Sequence, residues 1–381
     1  MKSLLKKLSI VVAAVFLLSA CAKKDKAAPP TKSFSVAKFK ANLQQEIKNS
    51  AATMPRGYSF VINQNGKWAD TSSYGVASMS RAGSFTAMHP DQEINIASVT
   101  KAMTSVAVQQ LLKKNNLKLT DQIGQWLPIY FYAAKEVREL TFVELLTHTS
   151  GISESSCDFE SMKALVKKGL DDPAKKKKYA NLNFGLFRAM IPFLRDKSSA
   201  QSQEASMVPQ NIAGFENWLN SQYIGYMQQH LFSAIGMPIT NCKPSDNTAQ
   251  AFNEGENIET YTPGDWTSSS GGGGYFMSTM EMARFIAYLA HDETLLSKMQ
   301  REEMDSKFLG WDTWHSQMTV AGQSYGKDGA LQWGAPGLQT LIVKYPNGVE
   351  LALTINSYMG NFRDMSTMAK DAYNAAWTMD K

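Results

Sequence analysis

Hydrophobic and polar positions follow two periods along this chain, and the period changes near both ends. Phe39, Leu43, Ile47 and Ala51 recur at helical spacing within 34–52, which predicts an amphipathic helix. Residues 58–63 then read as a strand, Gln64-Asn65-Gly66 as a tight turn, and 67–75 as the hairpin partner. The stretch 95–112, NIASVTKAMTSVAVQQLL, returns to helical spacing. Met103, Val106, Ala107 and Leu111 predict one buried stripe on it. Residues 119–127 and 141–150 read as short helices, the second closed by Gly151, and 183–195 is amphipathic. Residues 197–211 are rich in Ser, Gln and Ala and read as a surface insertion. A long helical region covers 213–235 and ends at Gly236, and 277–289 is a further helix. Beyond it the period is two again. Residues 338–343 and 349–356 flank a Pro346-Asn347-Gly348 turn, and a last helix covers 365–377.

This order predicts an α+β fold with an antiparallel sheet flanked by helices. The sheet lobe takes 46–95 and 285–381, and a mainly helical lobe, 96–284, is inserted between them. The sequence shows no internal repeat. A chain of 381 residues with 44% hydrophobic and 19% charged residues is globular.

Residues 1–20 read as a signal peptide. Lys2, Lys6 and Lys7 precede an apolar run, 10–18, that is too short to span a bilayer. Leu18-Ser19-Ala20-Cys21 resembles a bacterial lipobox. That predicts cleavage before Cys21, a lipid on its thiol, and an extracytoplasmic or periplasmic protein tethered to a membrane. Residues 21–45 then hold a flexible tether and the start of the first helix. The formal charge is +5, and cleavage removes three lysines and no acid. The mature chain is therefore near neutral, which gives no electrostatic case for nucleic acid. Cys157 and Cys242 remain, either as a disulfide or as two buried thiols.

Ser98 and Lys101 stand three residues apart at the start of the 95–112 helix, so they project from one face. A helix start also offers unpaired N–H groups and the positive end of the dipole. Ser3 with Lys6 and Ser35 with Lys38 share the spacing, but the first pair lies in the leader and the second in a polar stretch. Three further motifs follow in order. Tyr179-Ala180-Asn181 comes after four lysines, Ser268 to Gly274 (SSSGGGG) forms a loop, and Lys327-Asp328-Gly329 opens the last strand region. Two rival sites fail on context. Gly322-Gln323-Ser324-Tyr325-Gly326 matches a nucleophile elbow, but polar turn residues surround it and no histidine follows. His89, His148, His230, His291 and His315 have no paired spacing of the kind a zinc site needs. His148 reads as a structural residue of its turn.

Ser98-Val99-Thr100-Lys101, Tyr179-Ala180-Asn181 and Lys327-Asp328-Gly329 together resemble the class C β-lactamase, D-alanyl-D-alanine carboxypeptidase and serine esterase superfamily. The flanks 145–152, Gly236-Met237 and the glycine run before Met277-Ser278-Thr279 agree. The resemblance runs from about Gly57 to the C-terminus. It implies a β-lactamase/transpeptidase-like fold and an acyl-enzyme on Ser98. Lys101 would take the Ser98 proton when neutral, Tyr179 would share that role as a phenolate, and Asn181 would orient Lys101 or the substrate. Lys101 and Lys327, with or without the lysine run 175–178, would supply a cationic field. The N–H groups of Ser98 and Ala330, the residue after Gly329, would hold the oxyanion. No cofactor or metal is implied, and the partners expected are a small-molecule or peptidoglycan-type substrate and the membrane. The chain is expected to act as a monomer.

Asp328 departs from the family pattern, which has Lys-Thr-Gly or His-x-Gly, and Ala330 supplies no hydroxyl. A carboxylate facing a substrate carboxylate about 4 Å away would repel it by roughly 4 kcal/mol at moderate dielectric. That argues for neutral esters or amides over D-Ala peptides and β-lactams. Strand alternation leaves open whether Asp328 faces the pocket.

Overall fold

The two hairpins predicted at opposite ends of the chain pair with each other. In the computed structural model, residues 32–49, 54–254, 257–357 and 364–379 are described. The leader, Cys21 and most of the tether lie outside them. Helix α1 (Val36–Asn49) precedes strands β1 (Gly57–Gln64) and β2 (Lys67–Met79). Asn65 and Gly66 between them both take positive φ, as the tight turn requires. Near the other end lie β3 (Tyr325–Gln332), β4 (Gly337–Lys344) and β5 (Val349–Ile355). Strand β5 pairs antiparallel with β1, Leu353 opposite Phe60. The sheet therefore runs β2-β1-β5-β4, with β3 on the other side of β4 and three short strands completing eight.

Both faces of the central strands are covered, so β1, β5 and β4 are buried almost throughout, whereas β2 is largely exposed. Phe60, Ile62, Leu341 and Leu353 pack on Phe39, Leu43 and Ile47 of α1 and on Met368 and Tyr373 of the last helix, Met365–Asn374. On the other face Val61, Ile342 and Ala352 join the larger core of the helical lobe. Strand alternation sends successive side chains to the two cores.

Helix α2 (Thr100–Lys114) is the centre of that larger core. It is buried all round, more than the single stripe expected from its apolar residues. The reason is its place inside the helical lobe, against the helices Leu182–Arg195 and Ile212–Met227, where its polar side chains also find partners. Thr104 Oγ1 lies 2.9 Å from Tyr223 Oη, and Ser105 Oγ donates to Leu309 O at 3.0 Å. Downstream come α3 (Phe142–Leu146), α4 (Leu182–Arg195), α5 (Lys197–Met207), α6 (Ile212–Met227) and α7 (Thr279–His291).

Helix α5 occupies the stretch read as an insertion. Asp196 caps it by accepting from Ser199 N at 3.0 Å. Its mostly polar surface hid one buried anchor: Glu204 accepts from Tyr130 N at 2.8 Å and fixes the loop around Pro128. Cys157 and Cys242 are both buried as free thiols.

Candidate active site

The chain approaches α2 through a strained turn. Ala97 takes φ 46°, a left-handed conformation for a residue with a side chain. Asn95 Oδ1 accepts its N–H at 2.9 Å. A 3₁₀ turn, Ala97–Val99, then hands over to α2. This turn leaves Ser98 half-exposed while its neighbours on either side are buried.

Lys101 lies one helical turn further on and is fully buried. Its Nζ donates to Ser98 Oγ at 2.9 Å, to Asn181 Oδ1 at 2.7 Å, and to Gly272 O. Among the described residues no carboxylate forms an ion pair with it. The glycine loop is needed for this: a Cβ at Gly272 would come within 2.9 Å of Cys157 Sγ and 3.0 Å of Asn181 O. Asn181 stands at the start of α4, so one amine ties together α2, α4 and the loop. Tyr179 Oη donates to Ser98 Oγ at 2.7 Å. The Nζ atoms of Lys101 and Lys327 lie 4.9 and 5.4 Å from the Tyr179 ring centre.

His148 holds Tyr179 from behind. Its backbone is left-handed, at φ 58°, and its ring centre lies 4.4 Å from that of Tyr179. Lys178 N donates to His148 O at 2.9 Å and Ala180 N to Nδ1 at 3.3 Å. Burial, and then the charges of Lys101, Lys327 and Lys177, push the imidazole down to about 2. It stays neutral and accepts, a positioning part as its turn context implied. Of the lysine run, Lys175 pairs with Glu144 at 2.7 Å and Lys177 donates to Thr313 Oγ1 at 3.1 Å.

Strand β3 lies against the Ser98 turn through Gly329, where a Cβ would sit 2.5 Å from Ile96 O and 2.8 Å from Ser98 N. Ala330 follows it, exposed. Lys327 is buried, with Asp312 Oδ2 2.5 Å from its Nζ. Burial opposes its charge, but Asp312, Tyr179 and Asp328 together outweigh burial and hold the ammonium above the ordinary lysine range.

Asp328 alternates away from Lys327 and Gly329 along the strand, and its side chain is 34% exposed. It is not a bare carboxylate. His315 Nε2 lies 3.3 Å from Oδ2, and Lys327 Nζ 3.4 Å from Oδ1. His315 Nδ1 reaches Asp364 Oδ1 at 3.2 Å. The cations hold Asp328 below the usual carboxylate range against burial. Burial would lower His315, but its bonds to Asp328 and Asp364 push it up to about 9. The expected repulsion of a substrate carboxylate is thus reduced, because two cations already face Asp328. Asp312, His315 and Asp328 also cluster like metal ligands, but Lys327 Nζ sits on two of them.

Asp312 and the exposed Trp314, 6.1 Å edge-on from Tyr179, went unread in the sequence, and His315 was read only as one of five scattered histidines. They carry no motif, and 310–315 reaches the site only by folding back onto β3. Ser324 is buried and donates to Gln317 O at 2.8 Å, away from the site.

A model of the Beta-lactamase family matches residues 44–357. The chain belongs to the Beta-lactamase family. Its fold is that of solved structures at low identity. FmtA from Staphylococcus aureus is 17% identical, with 92% of this chain and 95% of that one covered at TM-score 0.64. A β-lactamase/D-alanine carboxypeptidase from Yersinia pestis is 16% identical, with 90% and 99% covered at 0.62. The D-amino acid amidase from Ochrobactrum anthropi is 16% identical, with 89% and 97% covered at 0.63. A search of curated protein sequences finds no match.

The His315 cluster sets a pH dependence. Because His315 is raised from 6.5 to about 9, its stabilisation is complete below pH 6.5 and lost as pH rises through about 9. Asp328 and Asp364 are lowered from 3.8, so their share is complete above that value and lost as pH falls further. The difference in thermal midpoint between wild type and His315→Gln is expected to be largest from about pH 4 to 6.5 and to shrink toward pH 10. A difference constant across that range, measured by circular dichroism, refutes the pairing.

Proposed function

We propose that this protein is a serine hydrolase that forms an acyl-enzyme on Ser98 and acts on carboxylic esters or amides. The observation that carries the reading is the double contact on Ser98 Oγ, from Lys101 Nζ at 2.9 Å and Tyr179 Oη at 2.7 Å. Whichever of the two is deprotonated takes the hydroxyl proton as Oγ attacks the carbonyl carbon. The same group returns the proton to the departing alcohol or amine. The oxyanion is held by the N–H groups of Ser98 and Ala330, each worth roughly 3 kcal/mol in the barrier. Asn181 orients Lys101 through its 2.7 Å bond. Lys327 keeps a fixed cation beside the Tyr179 ring. Water then hydrolyses the ester on Ser98.

A neutral ester or amide fits best, because Asp328 places a partly exposed carboxylate where the family carries a hydroxyl. D-Ala peptides or β-lactams form the second reading, supported by the Yersinia likeness and by the cations at Lys327 and His315. We also propose that Cys21 is lipidated and tethers the protein to the outer face of a bacterial membrane. No helix among the described residues is long and apolar enough to cross one.

Intact-protein mass after treatment with a fluorophosphonate, a reactive ester or a penicillin is expected to show one adduct, absent in Ser98→Ala. No adduct on wild type with any of the three refutes the hydrolase reading and leaves a binding protein with little turnover. Lys101→Ala and Tyr179→Phe are expected to slow acylation by roughly 10²–10⁴-fold. Asp328→Thr leaves the two cations facing an open pocket and is expected to speed β-lactam acylation, on the order of tenfold. An unchanged rate shows that Asp328 does not set substrate charge. Cells fed an alkyne fatty acid are expected to label wild type and not Cys21→Ala. Equal labelling moves the lipid elsewhere.

A further inference from the structure

Four glycines, 271–274, run past the nucleophile turn. Packing accounts for three of them. A Cβ would come 2.7 Å from Phe184 O at Gly271, 2.9 Å from Cys157 Sγ at Gly272, and 2.9 Å from Trp266 Cβ at Gly274. Gly273 differs: a Cβ there would meet only the Ala97 backbone, at an ordinary 3.7 Å. Its bareness leaves open floor beside the residue that precedes Ser98.

That floor leads to three rings. Trp266, packed on Gly274, meets Trp333 edge to face at 6.1 Å. Trp333 stacks on Tyr261 at 4.5 Å with 22° between the planes. Trp333 stands one residue beyond the end of β3, the strand that carries Lys327 and Gly329. Gly329 is the residue packed on Ser98 N. Two separate segments, the glycine loop and β3, therefore lead from the nucleophile to one aromatic wall. Trp266 and Trp333 are half-buried and Tyr261 is 39% exposed. Aromatic faces of this kind favour flat apolar rings by stacked or edge contact.

We infer that Trp266, Trp333 and Tyr261, reached over the bare backbone at Gly273, form a subsite for an aryl group carried on the acyl part of the substrate. This rests on the hydrolase reading and names the substrate class within it.

Two esters of similar intrinsic reactivity separate the ideas: 4-nitrophenyl butyrate and 4-nitrophenyl 4-phenylbutyrate, hydrolysed by the full chain. Wild type is expected to favour the phenylbutyrate by at least tenfold in kcat/KM. Trp333→Ala and Tyr261→Ala are expected to cut that ratio at least fivefold, and Trp333→Phe to keep most of it. Tyr261 is a surface residue, so its variant keeps the test alive if Trp333→Ala does not fold. No preference in wild type, or a ratio unmoved in Tyr261→Ala and in folded Trp333→Ala, overturns the subsite while butyrate turnover leaves the hydrolase intact. If neither ester is hydrolysed, the hydrolase reading fails and calorimetry still reads the subsite. 4-Phenylbutyramide is then expected to bind wild type at least fivefold more tightly than Tyr261→Ala, and equal affinity overturns it.

Discussion

A lysine amine with no exposed surface has to satisfy its N–H groups inside the protein, because an unpaired buried polar group costs several kcal/mol. Lys101 meets that demand with three acceptors drawn from three separate segments: Ser98 on the turn before α2, Asn181 at the head of α4, and the Gly272 carbonyl. The glycine loop, the left-handed Ala97 and the start of α4 are all arranged around this one nitrogen. Moving any of them leaves a buried donor without a partner. The same bonds hold Ser98 Oγ within reach of a second group, Tyr179, whose ring is backed by a neutral His148. The order at the site is thus a consequence of burying one amine.

A second cluster lies beside it with the opposite logic. Lys327 is kept charged by Asp312, and Asp328 by Lys327 and His315. Each charge is countered within about one contact distance, so the cluster presents a partly compensated rim and no single strong field. Asp328 is where the proposed substrate preference enters a shared framework. The aromatic wall at the far end of β3 is the other such place.

Much of this was legible in order along the chain. The two hairpins, the α2 stretch, the amphipathic 183–195 and the turn glycines each depend on neighbours close in sequence. So does the Ser98–Lys101 spacing, since residues three apart on a helix share a face. The reading of 197–211 fell short because Glu204 acts through a distant backbone N–H, and nothing local marks a polar residue as buried.

The sequence by itself determined which chemistry was available: a serine and a lysine one turn apart, a tyrosine and asparagine at a helix start, and a lysine-bearing strand. Only the tertiary structure decided what each group faces. It buried α2 on every side, brought Asp312 and His315 onto Lys327 and Asp328, and set Trp266, Trp333 and Tyr261 against one another. These pairings join residues far apart in the chain, and their energies come from burial and charge compensation that exist only once the two lobes have closed on each other.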